Sequence, residues 1–373
     1  MPPFLNKYLY FRNIIHKTQS IARAKVKNIN LSRHFHIISV KYLCKRDILC
    51  KKSAIQQLIQ KGGYEEHIRR YKYIKDKFLE ILDKDNIVEN ADMADYTSFK
   101  AGGKADMLVF PDSKEELTEV LKLLNDEGIN YLILGNGSNI LIRDKGFRGV
   151  IVKIGSAMAE IRVEDAEVYA EAGALLSTVS KKAMEASLTG LEFAGGIPGS
   201  IGGAAFMNAG AYGGEMKNVI KEVELISSDG KEIFNRTSEE MEYGYRHSLL
   251  YDTKDVVLSV KMQLKKGNQG EIKERMRELL ARRNSKQPVN YSSAGSFFKR
   301  PAGYYAGKLI EDSGLKGARV GDAQVSMLHG GFIINLGKAT ATDIITLMHL
   351  VQGRVLAEFG VELEPEVRII GEE

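Results

Sequence analysis

The chain has 373 residues, 44% of them hydrophobic and 27% charged, with two cysteines, seven histidines and a formal net charge of +5. That length allows two or three domains with sizeable cores, and no apolar run is long enough to span a bilayer. Cys44 and Cys50 alone cannot build a disulfide framework or a four-ligand metal site, and the histidines show no metal-ligand spacing, so no metal cofactor is expected.

The charge is unevenly spread. Residues 1–52 carry twelve Lys or Arg against a single acid, Asp47, for a net +11, whereas the rest of the chain is −6. The body therefore gives no reason to expect a nucleic-acid partner. The basic leader reads as a nucleic-acid or anionic-membrane arm, as a transit peptide, or as sequence upstream of a misplaced start. The third reading is favoured, although methionine is absent from 2 to 92 and such a start would need a non-AUG codon. Residues 1–70 are expected to be disordered or a mis-called start. Both cysteines lie in the leader, and a cysteine-free body suits a reducing, cytoplasmic compartment.

From residue 72 the pairs Tyr73-Ile74, Phe78-Leu79 and Ile81-Leu82 recur at helical spacing. MLVF (107–110) reads as a strand. A helix follows with Ser113 as N-cap, Glu116 completing a capping box and Gly128 past its end. YLILG (131–135) and VIVKI (150–154) are further strands. Ser177–Ala186 is a second helix, closed by Gly190. VELISS, an Asp229-Gly230 turn and VVLSVKMQL read as antiparallel strands. EIKERMRELLARRNSKQP is a helix ended by Pro288. The last section runs from Ser296 through GFIIN and a helix over Asp343–Phe359 to LEPEVRII. Strand–helix alternation mixed with β-ribbon makes the class α+β. The domain boundary is placed near 266, giving 71–266 and 267–373, with the strand near 363–370 free to return to the first domain.

Two glycine-rich loops stand out. LGNGSNI (134–140) offers Gly135, Asn136, Gly137, Ser138 and Asn139 between two strands. Ile140 stands where a Rossmann fingerprint needs glycine, and there is no GK[ST], so neither common phosphate motif applies. The loop is either a plain β-turn or a nest of backbone N–H groups for a pyrophosphate. The second loop, TGLEFAGGIPGSIGGAAFMNAGAYGGE (189–215), packs nine glycines into 25 residues with almost no charge. Its apolar side chains exclude a flexible linker. Gly195, Ile197, Pro198, Gly199, Gly202, Gly203, Asn208 and Gly210 are its candidate cofactor residues. Together the loops fit a dinucleotide with an aromatic head, outside the Rossmann class.

TSFKAGGKAD (97–106), YLILGNGSNILI (131–142), the glycine loop, GYRHS (244–248), AGSFFKRP (294–301), AGKLIEDSGLKG (306–317), HGGFIIN (329–335) and LEPEVRIIG (363–371) stand in one order. In this the chain resembles the UDP-N-acetylenolpyruvoylglucosamine reductase family over residues 75–373. The resemblance implies an FAD-binding domain of the vanillyl-alcohol-oxidase (PCMH) type and a C-terminal α/β substrate-binding domain. It implies NADPH as reductant and UDP-N-acetylglucosamine enolpyruvate as substrate, in peptidoglycan precursor synthesis, with a monomer expected.

By the same resemblance, Ser296 matches the proton donor to C2, Arg246 the arginine that steadies the enolate carboxylate, and Glu366 the third catalytic residue. A charged carboxylate beside an enolate repels it, so the Glu366 pKa is expected to be raised. Lys286 and Lys299 match substrate-contacting basic positions. The short stretch between Arg246 and Ser296 leaves no room for the insert that carries a gating tyrosine in some members, so the chain looks like the shorter, second type. Tyr243, Tyr304 or Tyr305 could close over the substrate instead, although core packing is the more ordinary role for each. The rival readings are an FAD-linked oxidase, a non-catalytic flavin or nucleotide-sugar binding protein and a basic-arm nucleic-acid binder. Between His67 and His247 there is no histidine to tether a flavin, which weighs against the oxidase.

Overall fold

A helix over residues 69–78 buries Ile74 and Phe78 and leaves Tyr73 outside, as i, i+4 spacing requires. It opens the part of the chain that the computed structural model describes, residues 69–373. The basic leader and both cysteines lie outside the described residues. Arg70–Glu373 forms a single compact unit.

Two sheets carry the first half. One has four strands in the order Ile87–Asp92, Lys104–Val109, Phe147–Lys153, Tyr131–Leu134, the last three mutually parallel. Its central strands are buried on both faces, which is why MLVF and VIVKI read as unbroken apolar runs. Met107, Val109, Val150 and Val152 face the larger core, and Leu108 and Ile151 a smaller one. The other sheet is antiparallel, in the order Ile233–Thr237, Ile220–Ile226, Val256–Gln263, Glu167–Glu171, Ile161–Glu164. The Asp229-Gly230 turn closes its hairpin with Gly230 at φ +73°. Helix Lys114–Asp126 packs on the core through Leu117, Val120, Leu121 and Leu124.

The helix termini follow local chemistry with two differences. The Ser113 hydroxyl accepts from Glu116 N–H at 3.1 Å, as a capping box requires. Glu116 reaches back to Asp112 N–H at 2.7 Å, however, one residue before the cap. The second helix spans Leu176–Glu185 and stops at Ser187, which takes a left-handed φ of +58°. Gly190 lies beyond, after the short strand Leu188–Thr189.

Helix Gln269–Lys286 ends before Gln287-Pro288 and contacts the segments around Leu176–Glu185 and Glu192–Ala194. A three-stranded antiparallel sheet (Arg319–Val320, Ala323–Val325, Ile333–Asn335) and helix Ala341–Phe359 build the last section. Their core also holds Phe99, Ala101 and Leu141 from the first half. The final strand, Arg368–Ile370, pairs in parallel with Ile140–Ile142. Mixed parallel and antiparallel sheets with segregated helices make the fold α+β. No helix among the described residues is long and apolar enough to cross a membrane.

Candidate active site

The two glycine loops meet. Asn136 Nδ2 donates to the Pro198 carbonyl at 2.6 Å. A Cβ at Gly135 would stand 2.5 Å from Ser200 Oγ, so the glycine lets the Ser200 hydroxyl lie against the first loop. Gly137 takes φ +65° and lies so close to Tyr96 that a Cβ would reach its carbonyl oxygen at 2.2 Å. Lys153 Nζ holds the Gly135 carbonyl at 2.8 Å. Among the described residues, the backbone N–H groups of Asn136, Gly137, Ser138 and Asn139 find no acceptor. Four successive unpaired donors form a nest suited to a pyrophosphate.

These loops wall a cavity of about 640 Å³. Its lining includes Gly135–Asn139, Ile197, Gly199, Ser200, Gly202 and Gly203, so nine of the thirteen cofactor positions expected from sequence face it. That volume lies within the ~300–1,000 Å³ of ligand-burying pockets. Ser200 Oγ is buried in the wall without a partner, an acceptor or donor that a ligand would satisfy. Donor nest, orphan hydroxyl and the apolar walls of Ile197, Phe206 and Tyr251 fit a flavin dinucleotide.

The other four expected cofactor residues do different work. Gly195 lies against helix Gln269–Lys286, where a Cβ would be 3.1 Å from Met276 Cε. Pro198 contributes the carbonyl held by Asn136. Gly210 gives its carbonyl to Arg246 Nη2 at 3.1 Å. Asn208 is buried, and its amide is fully used: Nδ2 donates to Gly244 O at 2.9 Å and to Glu215 at 3.0 Å, and Oδ1 accepts from Lys217 N–H. It fixes the turn that presents Arg246.

Arg246 sits at that turn with φ +53°, a left-handed conformation that costs a non-glycine residue about 1 kcal/mol. Gly244 and His247 close the turn by exchanging backbone hydrogen bonds. Arg246 Nε donates to Glu366 Oε1 at 2.7 Å. Glu366 is nearly buried, and burial pushes its pKa up against the opposing pull of Arg246 and Lys299.

Ser296 approaches Glu366 along the backbone. Gly295 turns the chain at φ +76°, and residues 297–299, directly after Ser296, run antiparallel to 364–366. Glu366 N–H donates to Phe297 O at 2.8 Å, Phe298 pairs with Pro365, and Lys299 N–H donates to Glu364 O at 2.9 Å. Phe297 and Phe298 are buried in the core, which anchors the strand and leaves Ser296 exposed. Asn139 Nδ2 donates to the Glu366 carbonyl at 3.2 Å, joining the first glycine loop to the segment that carries Glu366.

The expected substrate contacts are placed less evenly. Lys299 Nζ pairs with Glu364 and stands near Glu366. Lys286 is exposed at its helix end. Tyr243 packs on the core with its hydroxyl buried and unpartnered. Tyr304 and Tyr305 are exposed. Phe206 lines the cavity as one of the apolar side chains of the second glycine loop; sequence reasoning missed Tyr251 and Arg368, which also line it, Arg368 with its guanidinium 5.1 Å from the Phe206 ring centre. Ser228 and Lys254–Val257 were missed as well. They come from separate segments with no motif of their own. Only Arg368, inside LEPEVRII, carried a signal.

Known proteins match this arrangement. Residues 105–234 match the family described as an FAD binding domain, and residues 287–370 match the C-terminal domain of UDP-N-acetylenolpyruvoylglucosamine reductase. The UDP-N-acetylenolpyruvoylglucosamine reductase of Alkaliphilus oremlandii is 50% identical over 79% of this chain and 96% of its own. That of Clostridium novyi is 51% identical over 80% and 97%. The crystal structure of the reductase from Thermus caldophilus superposes with a TM-score of 0.65 at 37% identity, covering 75% of this chain and 97% of that one. The Arg246–Glu366 pair, the Ser296 strand and the dinucleotide cradle thus stand in a chain that belongs to the UDP-N-acetylenolpyruvoylglucosamine reductase family.

Proposed function

We propose that the protein is the FAD-dependent oxidoreductase that reduces UDP-N-acetylglucosamine enolpyruvate to UDP-N-acetylmuramate with NADPH, a step of peptidoglycan precursor synthesis in the cytoplasm. The observation that carries this reading is the convergence of Arg246, Glu366 and the Ser296 strand beside a cavity suited to a flavin dinucleotide.

The nest at 136–139 would hold the pyrophosphate, with Ser200 and the apolar walls completing the cradle. FAD, when bound, supplies hydride transfer, from NADPH and then onto C3 of the enolpyruvyl ether. The chain's own residues handle the charge and the proton. Arg246 offers a planar guanidinium to the substrate carboxylate, onto which negative charge spreads as C3 is reduced. Ser296 donates its proton to C2; an enolate carbon is basic enough to take it from a hydroxyl without a triad. Because Ser296 is exposed, solvent can return the proton. Glu366, with its pKa raised by burial, steadies Arg246 while adding less negative charge than an ordinary carboxylate. A non-catalytic binder would have no use for a nearly buried carboxyl tied to a strained arginine.

The test follows flavin absorbance at 450 nm anaerobically, first under NADPH and then under the enolpyruvyl substrate. Bleaching followed by recovery supports both half-reactions. Bleaching without recovery rejects the substrate, and failure to take up FAD rejects the whole reading. Ser296→Ala should bleach normally and recover ~100–1,000-fold more slowly; equal recovery rates would remove Ser296 from the proton transfer.

A further inference from the structure

Exposed Ser296 is held in place by its neighbour. Phe297 N–H donates to Gly331 O at 2.8 Å, and Phe297 O accepts from Glu366 N–H at 2.8 Å. Phe297 is thus clamped between the Glu366 segment and Gly331. The Gly331 side of the clamp leads to His329, whose Nδ1 accepts from Gly331 N–H at 3.0 Å. Gly331 gives its N–H to the imidazole and its carbonyl to Phe297.

The slot is cut to take the ring. A Cβ at Gly331 would lie 3.0 Å from His329 Cε1. A Cβ at Gly307, in helix Ala306–Asp312, would lie 3.1 Å from the same atom. Gly330 brings the loop down on that helix, since a Cβ there would stand 2.6 Å from Gly307 O. Phe332 meets the imidazole edge to face, with ring centres 5.0 Å apart.

A plainer role is aromatic filler against Phe332. Any aromatic side chain fills space, but only imidazole offers a ring nitrogen as acceptor. Turns are ordinarily held by hydroxyls or amides. The same loop does so at its start, where Ser326 Oγ accepts from Leu328 N–H and His329 N–H. The acceptor for Gly331 differs in that it titrates: Nδ1 accepts only while it carries no proton.

We propose that His329 is a positioning residue for Ser296, its unprotonated Nδ1 fixing the Gly331 peptide, which in turn fixes Phe297 and the adjoining proton donor. This rests on the functional reading above and adds a residue that acts through the backbone. Burial holds the imidazole pKa below its ordinary value. The charged groups that bear on it are Lys316 and Glu311, which pair with each other at 2.9 Å; Gly307, Phe297 and Phe332 bring none. The contact is therefore intact at neutral pH. It is lost as pH falls through the lowered value, below about 6.5.

The experiment reduces the FAD-bound full chain with NADPH and follows flavin reoxidation by the enolpyruvyl substrate in single turnovers across pH. Two variants separate the contact from packing. His329→Phe keeps a ring and loses the acceptor. His329→Asn loses the ring and sets an amide oxygen two residues before the Gly331 N–H, as in an Asx-turn, where it does not titrate. His329→Phe should slow reoxidation ~10–100-fold, as small displacements of a reacting group do. Flavin reduction by NADPH, which does not use Ser296, should keep its wild-type rate. Wild-type reoxidation should fall on the acid side, below about 6.5, and His329→Asn should lack that fall. Equal reoxidation in His329→Phe and wild type overturns the proposal. So does equal slowing of both half-reactions, which marks a general loosening, and so do identical pH profiles in His329→Asn and wild type. Should His329→Phe fail to fold, the His329→Asn profile decides alone. A wild type whose reduced flavin the enolpyruvyl substrate does not reoxidise fails the functional reading instead. The Gly331 amide nitrogen shift in the labelled full chain then still reads the contact: an amide that titrates with the His329 ring supports it, and one that does not ends it.

Discussion

Glu366 shows how one residue can be held between two demands. Burial favours its neutral form, the Arg246 guanidinium at 2.7 Å favours its anion, and burial prevails. A carboxyl whose pKa is higher folded than unfolded binds more protons in the folded state between those two values. Its contribution to stability is therefore fully present below the unfolded value, about 4.3, and is lost as pH rises through the raised folded value. Glu366→Gln removes that titration. Denaturant melts at a series of pH values should show wild-type stability falling relative to the variant as pH climbs above ~4.3. Parallel curves would mean that Glu366 has the same proton affinity folded and unfolded, and that burial does not raise it. The same substitution leaves an amide where a proton-holding group stood and should lower kcat ~100-fold or more. At this scale the candidates Arg246, Ser296 and Glu366 could be singled out because each sits in a compact motif. The left-handed backbone of Arg246 and the buried amide of Asn208 that supports it were not, because both depend on segments 36 residues apart.

Among the elements, the last helix depends on a residue far from it in sequence. Asp144 accepts from Ala341 N–H and Thr342 N–H, both at 2.8 Å, and from the Thr342 hydroxyl. These are first-turn groups with no partner inside the helix. Thr340 and Asp343 form their own capping box, so Asp144 is a second anion at the same terminus. Asp144→Ala should cost about 1 kcal/mol, as loss of a cap does, and lower Tm by roughly 2–4 °C; Asp144→Asn should recover part of it. No change in either would mean that water replaces the carboxylate without loss. Local caps of this kind are readable when donor and acceptor are neighbours, as at Ser113. Asp144 was not readable, because 197 residues separate it from Ala341. The helix Ile201–Phe206 was missed for a different reason. Gly202 and Gly203 argue against helix by about 1 kcal/mol each. Tertiary contact overrides that preference: Ile201 and Gly202 donate to Ala174 and Ala172 carbonyls, and a Cβ at Gly202 would lie 2.9 Å from Ala172 Cβ.

Across the whole molecule, the C-terminal segment closes back on residues 139–146 beside the site. Strand Arg368–Ile370 pairs with Ile140–Ile142, Arg143 N–H donates to Ile370 O at 2.8 Å, and Glu372 N–H to Gly146 O at 3.0 Å. Arg368 N–H also donates to the carbonyl of Asn139, the last residue of the donor nest. Composition and periodicity could announce a strand at LEPEVRII, but not its partner, since parallel pairing joins residues more than 220 apart. The final strand thus does two jobs: it delivers Glu366 to Arg246 and braces the loop that would cradle the pyrophosphate. Removing residues 368–373 should therefore impair both stability and cofactor retention, while Arg368→Ala, which keeps the strand, should spare Tm. The measurement is Tm together with the FAD that survives desalting, taken on wild type, truncation and point variant. A truncated chain that melts and retains FAD like wild type would show that the nest holds its shape without the strand behind it. A truncation that loses both, beside a point variant that loses only FAD, would separate the bracing backbone from the guanidinium that faces the cavity.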